Sequence, residues 1–532
     1  MNSPDVQRIA EKHMNAYSNA PYISTLIRIT NINKVDYLET EPQKDDVTKY
    51  AVSMTVYKNG NVYFGANEDS SELTTRGLEM ALWKARKSFI ETNIHILPED
   101  RRNLPIPERV HIAPRQTLDD WFEDGWEVDA NILEDLSKAS AGYTWYKPEV
   151  REARAEASAR LYLGRVIFMD SKGTYIEQDH NMFAVGLELD LDLTRSFNRR
   201  VRFAIEKESQ QKRIYELIKY LPDLTEHQII RKATDFESLM DNLHIIAMDT
   251  DANYTKVKAG RVNVITDTTI VQHETMQHLL ETPMFDKRTD LDDSLFQLDT
   301  YYGDGEQIGP LNFNLTDNPR HKLPNGLKTY PYFRYDMEGF ESKPIKLVST
   351  GTVRNRRLGS RYSTGKETGR AFTGLPLGLP MPRMTCGITE PSKGGASNLD
   401  ELIEMGQKLK DKRGKNMPLV VCVFKRAEVD LRGLARFGWD GEYQYPETYL
   451  VTPKGNLRAI KTPVVLNTSA HLAWQNASIA RKWSLTASSG HCGKESLSQK
   501  DYWDFFPNPE IGPLALFRDF KLETQRRIKS LP

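Results

Sequence analysis

Val52-Ser53-Met54-Thr55-Val56-Tyr57-Lys58-Asn59-Gly60-Asn61-Val62-Tyr63-Phe64-Gly65 reads as two β-strands joined by a tight turn. Both runs are rich in β-branched and aromatic residues, and Asn59-Gly60 supplies the positive-φ backbone that a two-residue hairpin loop needs. A hairpin pairs antiparallel, so it sets the sheet type of the N-terminal region. Upstream, Ile23 to Ile32 continues the β-branched pattern, while residues 5–17 put Val6, Ile9, Ala10 and Met14 on one side of a helix. A second helix is expected over about 71–92. Downstream, Leu187, Leu189, Leu191 and Leu193 interleave with Glu188, Asp190 and Asp192, as in a strand with one wet face. Those acids lie in a row and do not converge, so a solvated face is favoured over a cation site. Asp170-Ser171-Lys172-Gly173-Thr174 reads as the turn between neighbouring strands.

Residues 94–128 read as irregular, and helices are expected near 129–141, 206–220 and 235–247. Leu221-Pro222-Asp223-Leu224-Thr225 is the natural boundary. Beyond residue 284, short β-like runs and turns dominate, apart from one helix near 398–411. The expected fold class is therefore α+β: an N-terminal α+β domain, residues 1–222, with an antiparallel sheet, then a mostly antiparallel β domain, residues 223–532.

Composition narrows the function. The 532 residues exceed what one ordinary core organises. Lys plus Arg number 72 and Asp plus Glu 73, a net charge of -1, so there is no basic footprint for nucleic acid or anionic lipid. No apolar run approaches the ~20 residues of a membrane span. Met1-Asn2-Ser3-Pro4-Asp5 lacks the basic and apolar parts of a signal peptide. Cys386, Cys422 and Cys492 are odd in number and far apart, which argues against a disulfide framework and for a reducing, cytoplasmic setting.

The chemistry concentrates in Val271-Gln272-His273-Glu274-Thr275-Met276-Gln277-His278-Leu279-Leu280-Glu281. Imidazole nitrogens commonly hold zinc, and a nearby glutamate can take a proton from water on the metal. The familiar zinc-protease helix spaces its histidines at i and i+4. Here the spacing is i+5, and on a regular helix the second ring points about 140° away from the first. Both rings meet one ion only if the helix bulges or ends between them. Asp267 or Thr268 is the candidate helix cap. Ser489-Gly490-His491-Cys492-Gly493-Lys494 offers a thiolate on a glycine-flanked backbone. His273, His278 and Cys492 would make a three-ligand site with one open position, and His491 is a weaker substitute for the thiolate. The basic stretch Arg354, Arg356, Arg357, Arg361, Lys366, Arg370 reads either as an exposed loop or as a site for phosphate or a carboxylate.

Taken in order, several stretches resemble the TldD/PmbA family of zinc metallopeptidases. The His273-Glu274-x-x-x-His278 spacing looks like its catalytic signature. Asp336-Met337-Glu338-Gly339 followed by Pro344 to Gly351 is similar to its Asp-x-Glu-Gly run. Leu379-Pro380-Met381-Pro382-Arg383-Met384-Thr385 resembles its Pro-Arg-Met-Thr segment, and Cys492-Gly493-Lys494 its Cys-Gly-Lys turn. The bulky Thr275-Met276-Gln277 departs from the small residues usual there. The resemblance implies Zn²⁺ held by His273, His278 and Cys492, with Glu274 as the catalytic base. It implies a barrel-like C-terminal domain carrying the metal. It further implies an enclosed site admitting unfolded or small peptides, in a homodimer or in a heterodimer with a TldE/PmbA-like subunit. A non-catalytic peptide-binding or partner subunit with a structural metal is the alternative.

Overall fold

The Asn59-Gly60 hairpin forms as its sequence dictates: Lys58 pairs with Asn61 and Tyr57 with Val62, and Asn59 takes φ +54°. The computed structural model of the chain describes residues 3–38, 41–59, 61–69, 74–92, 106–113, 127–128, 153–191, 195–214, 258–268, 271–272, 275, 305–323, 326–354, 369–373, 380–423, 428–435, 438–445, 447–460, 464–468, 470–492 and 506–524. Within them the fold is α+β and mostly strand.

The first sheet is built on strands β1 (Tyr22–Leu38), β2 (Glu41–Lys58), β3 (Asn61–Asp69) and β4 (Ile90–Thr92). It continues through β5 (His111–Ile112), β6 (Ala153–Asp170), β7 (Tyr175–Asp179), β8 (Met182–Leu191) and β9 (Arg195–Ala204). The order β9-β8-β6-β1-β2-β3-β4 is antiparallel throughout. Strand β7 folds back on β6 through the Asp170 turn. There Asp170 Oδ1 accepts from the N–H groups of Lys172 (2.8 Å) and Thr174 (2.9 Å), and Gly173 takes φ +90°.

Helices α1 (Ser3–Asn15) and α2 (Thr75–Lys87) cover one face, packing Val6, Ile9, Met14, Leu78 and Leu82 against Ile27, Val52, Met54 and Ile167. Helix α2 starts later than its sequence pattern because Thr74 caps it, its hydroxyl accepting from Gly77 N–H at 3.0 Å, and it ends at Lys87 with Ser88 as its C-cap. The opposite face, with Leu26, Val166, Phe168 and Ile176, is covered by Phe333, Tyr335, Met337 and Phe372 from the later part of the chain.

The second sheet begins with β10 (Gly260–Asp267) and β11 (Leu315–Asp317). The next strand, β12 (Lys328–Thr329), joins the first sheet instead, against β9. Strands β13 (Ile345–Ser349) and β14 (Thr352–Val353) follow, then the separate pair β15 (Ala371–Phe372) and β16 (Met381–Pro382), then β17 (Gly387–Thr389). Strands β18 (Leu419–Val423), β19 (Glu428–Ala435), β20 (Gly438–Tyr445), β21 (Glu447–Val451) and β22 (Leu457–Ala459) continue it. It ends with β23 (Val464–Thr468), β24 (Ser478–Cys492) and β25 (Phe506–Thr524).

Its path runs β14-β13-β11-β17-β25-β10-β18-β21-β22, with β23 and β24 also paired to β25. Antiparallel pairs dominate, while β10–β18 and β17–β25 are parallel. The expected barrel-like closure does not form among the described strands. A barrel needs its terminal strands to pair with each other, whereas β14 ends on β13 and β22 on β21.

Helix α3 (Leu399–Gln407) starts where Asn398 accepts from Glu401 N–H at 2.9 Å. Helix α4 (Ala470–Gln475) lies in a region whose sequence reads as strand and turn. Of the helix expected near 206–220, residues 210–214 are helical, and those expected at 129–141 and 235–247 lie outside the described residues. No helix among the described residues is long and apolar enough to cross a membrane.

Candidate metal centre

Strand β10 delivers the chain to the His-Glu stretch. It lies between β25, antiparallel, and β18, parallel, and both of its faces are buried, Val262 and Val264 on one and Ile265 on the other. At its end Thr268 N–H bonds Pro513 C=O at 3.0 Å, and Gln272 N–H bonds Thr268 C=O at 2.9 Å, which opens a helical turn. The Thr268 hydroxyl does not cap that turn: its Oγ1 is buried without a hydrogen-bond partner. It faces Gly512, where an added Cβ would lie 1.8 Å from Oγ1, so only glycine fits there.

Val271, Gln272 and Thr275 are helical and buried. Gln272 Oε1 accepts from the Thr389 hydroxyl on β17 at 2.6 Å. The Thr275 hydroxyl donates to Val271 C=O at 2.6 Å and accepts from Trp474 Nε1–H on α4, also at 2.6 Å. Trp474 is fully buried, stacked on Phe313 at 3.8 Å between ring centroids and edge-on to Phe517 at 5.7 Å.

His273, Glu274 and His278 lie outside the described residues, as does the side chain of Cys492. The backbone of Cys492 ends β24, opposite Phe506 of β25, with His491 opposite Pro507. Strand β25 also pairs with β10, Asp267 standing opposite Leu514. One strand thus neighbours both the lead-in to the histidines and the strand that ends at the cysteine. Among the described residues no group of three or more His, Cys, Asp or Glu side chains could hold a metal ion.

The donor chemistry fits zinc, for which two imidazoles and a thiolate are ordinary ligands. The other two cysteines are buried thiols. Burial, with Asp317 nearby, pushes Cys386 well above the usual thiol range, and burial pushes Cys422 up to about 12. Neither is poised to ionise, which leaves Cys492 as the thiolate candidate.

The Asp336 to Gly339 motif is buried scaffold. Asp336 Oδ1 accepts from the N–H groups of Glu338 (3.0 Å) and Phe340 (2.9 Å), and its Oδ2 from Ala371 N–H (3.1 Å). Gly339, at φ +85°, lies so close to Phe168 of β6 that an added Cβ would sit 2.5 Å from the ring. The motif therefore docks the later chain onto the first sheet. Ile345 to Val353 is a hairpin turning on Thr350 (φ +49°) and Gly351 (φ +73°).

Arg370, read as part of a basic loop, is fully buried and ion-paired with Asp317. It is not available to an external anion. Burial next to a carboxylate outweighs its sequence neighbourhood, of which residues 355–368 lie outside the described set. Asp317 in turn accepts from the N–H groups of Thr385 (2.8 Å) and Cys386 (3.0 Å), so the Pro-Arg-Met-Thr segment is strapped to the same carboxylate.

Residues 259–409, from β10 through α3, match the PmbA/TldA metallopeptidase C-terminal domain. That segment is a domain of the PmbA/TldD type. Its fold is similar to that of TldE from Thermococcus kodakarensis, with a TM-score of 0.60 and 13% identity over 97% of this chain and 99% of that one. It is also similar to a candidate modulator of a DNA gyrase from Thermotoga maritima, with a TM-score of 0.58 and 12% identity, covering 97% and 100%. A third likeness is to a candidate modulator of DNA gyrase from Bacteroides thetaiotaomicron, with a TM-score of 0.56 and 13% identity, covering 98% and 99%. At these identities the likeness is one of fold. No curated protein matches the sequence. Sequence reasoning missed Thr389 and Trp474. Both contact the motif helix from far along the chain, and neither sits in a recognisable pattern.

Proposed function

We propose that this protein is a zinc-dependent peptidase of the PmbA/TldD family, acting on unfolded or small peptides. The observation that carries the reading is the match of residues 259–409 to a metallopeptidase domain, in a segment that contains His273, Glu274 and His278. His273, His278 and Cys492 would hold Zn²⁺, which would polarise the scissile carbonyl and acidify water. Glu274 takes a proton from the attacking water and delivers it to the departing amine. Enclosure in a homodimer, or with a TldE/PmbA-like subunit in the cytoplasm, would exclude folded proteins from the site.

A second reading, a non-catalytic subunit with a structural metal, draws on the register of β25. The partners of Asp267 and Cys492 on that strand, Leu514 and Phe506, are eight residues apart. That is about 27 Å along a straight strand. Under the peptidase reading the motif helix must therefore run on toward the N-terminal end of β25 to approach Cys492.

Metal content and turnover separate the readings. His273→Ala and Cys492→Ala should each lose zinc, while Glu274→Gln should keep zinc and lose cleavage of an unstructured peptide by 10²-fold or more, about the share that general-base catalysis contributes. A Glu274→Gln variant as active as its parent removes the assigned base. Zinc retained by Cys492→Ala removes the third ligand.

A further inference from the structure

We infer that Thr275 and Trp474 are positioning residues for the metal-binding helix, a role that rests on the peptidase reading above. The hydrogen bonds form a relay: Trp474 Nε1–H to Thr275 Oγ1 at 2.6 Å, then the Thr275 hydroxyl to Val271 C=O at 2.6 Å. Every group in it is buried, Thr275 and Trp474 at 0% exposure and Val271 at 1%. The indole at the donor end is packed by Phe313 on its face and Phe517 at its edge.

Thr275 falls between the two histidines, two residues after His273 and three before His278. On a regular helix, side chains five positions apart point about 140° from each other. For both imidazoles to address one ion, the backbone between them must depart from that regularity, and Thr275 is the core anchor within that interval.

A threonine hydroxyl bonded to the carbonyl four residues back also loosens and bends a helix at that turn. The relay therefore holds the chain to the core at a point between the two histidines in sequence. Gln272, held by Thr389 at 2.6 Å, fixes the rotation of the same turn from a second side.

The test uses the full-length protein and measures affinity for Zn²⁺ by competition with a chromophoric chelator. A Co²⁺-substituted sample reports thiolate ligation by its charge-transfer absorption. Thr275→Val keeps the shape and removes the hydroxyl. It should weaken zinc binding by about 10–100-fold, the usual effect of removing a group that orients a metal ligand, and should alter the Co²⁺ spectrum. Thr275→Ser restores the hydroxyl and should restore both. Trp474→Phe should weaken binding in the same direction as Thr275→Val, and the double variant should lose no more than the larger single loss.

A merely structural role would lower the melting temperature of the chelator-treated protein and leave metal affinity and spectrum unchanged. That result, with a parent that binds zinc, overturns the inference and spares the function. A parent that binds neither Zn²⁺ nor Co²⁺ overturns the function, and the inference with it.

Discussion

Among the described residues Arg165, Arg370 and Arg383 are fully buried at 0% exposure, and the first two, one associated with each sheet, are used differently. Arg165 on β6 bonds Asp179 at 2.7 Å and Glu177 at 3.2 Å, both on β7, the strand that folds straight back on it. Its partners are 14 and 12 residues away, and the Asp170 turn already fixes their register. Arg370 reaches 53 residues back to Asp317 and also donates to the carbonyls of Gly369 (3.0 Å), Asp317 (3.2 Å) and Lys343 (2.5 Å). Those segments belong to three stretches that share only short strands. In the first sheet the charge pair decorates a ladder that exists without it. In the second, a carboxylate at the end of β11 and a guanidinium beside β15 tie together segments that no shared ladder joins.

The difference is open to breaking. The largest effect is expected at Asp317: Asp317→Ala strands a buried guanidinium and unties Thr385 and Cys386. It should cost about 3–5 kcal/mol in urea unfolding. A loss under about 1 kcal/mol would mean that the strands hold without the pair.

The first sheet has its own buried polar liability in His180, stacked on Phe333, its Nε2 without a hydrogen-bond partner. Burial, with Arg28 nearby, depresses its pKa from 6.5 to about 3. As pH falls below 6.5 the unfolded chain takes up a proton that the folded chain refuses, so stability drops through the window between those values. Between pH 6.5 and 5 the drop should be about 2 kcal/mol. His180→Leu should lack that part of the slope, and equal slopes in parent and variant would place the acid sensitivity elsewhere. The smallest effect is expected at Asp179, whose carboxylate is 38% exposed. Asp179→Ala should cost about 1 kcal/mol or less, because water screens the pair and Glu177 remains beside Arg165.

What could be read from the sequence follows the same line. The Asn59-Gly60 hairpin, the Asp170 turn and helix α1 are set by residues a few positions apart, and each forms where expected. The role of Arg370 could not be read that way, since its partner is 53 residues off and its neighbours in sequence are basic. Thr268 has the chemistry of a cap and the sequence position of one, but Gly512 crowds its hydroxyl from a strand more than two hundred residues later. For the candidate centre, His273, Glu274, His278 and Cys492 stand out as residue types. Their supports do not: Thr389 meets Gln272 across 117 residues and Trp474 meets Thr275 across 199. No local pattern announces such a pair.

Strand β25 carries a consequence for how this chain can vary. It is flanked by β10, which leads to the histidines, and by β24, which finishes at Cys492. The spacing between those two ends is therefore kept by counting residues along a single shared ruler. Exchanging one side chain for another between Phe506 and Leu514 leaves the count intact. Deleting a single residue there would slide one end past the other by about 3.4 Å, more than the length of any zinc–ligand bond. Length in that short span, together with Gly512, which Thr268 crowds, is what selection on the centre would guard.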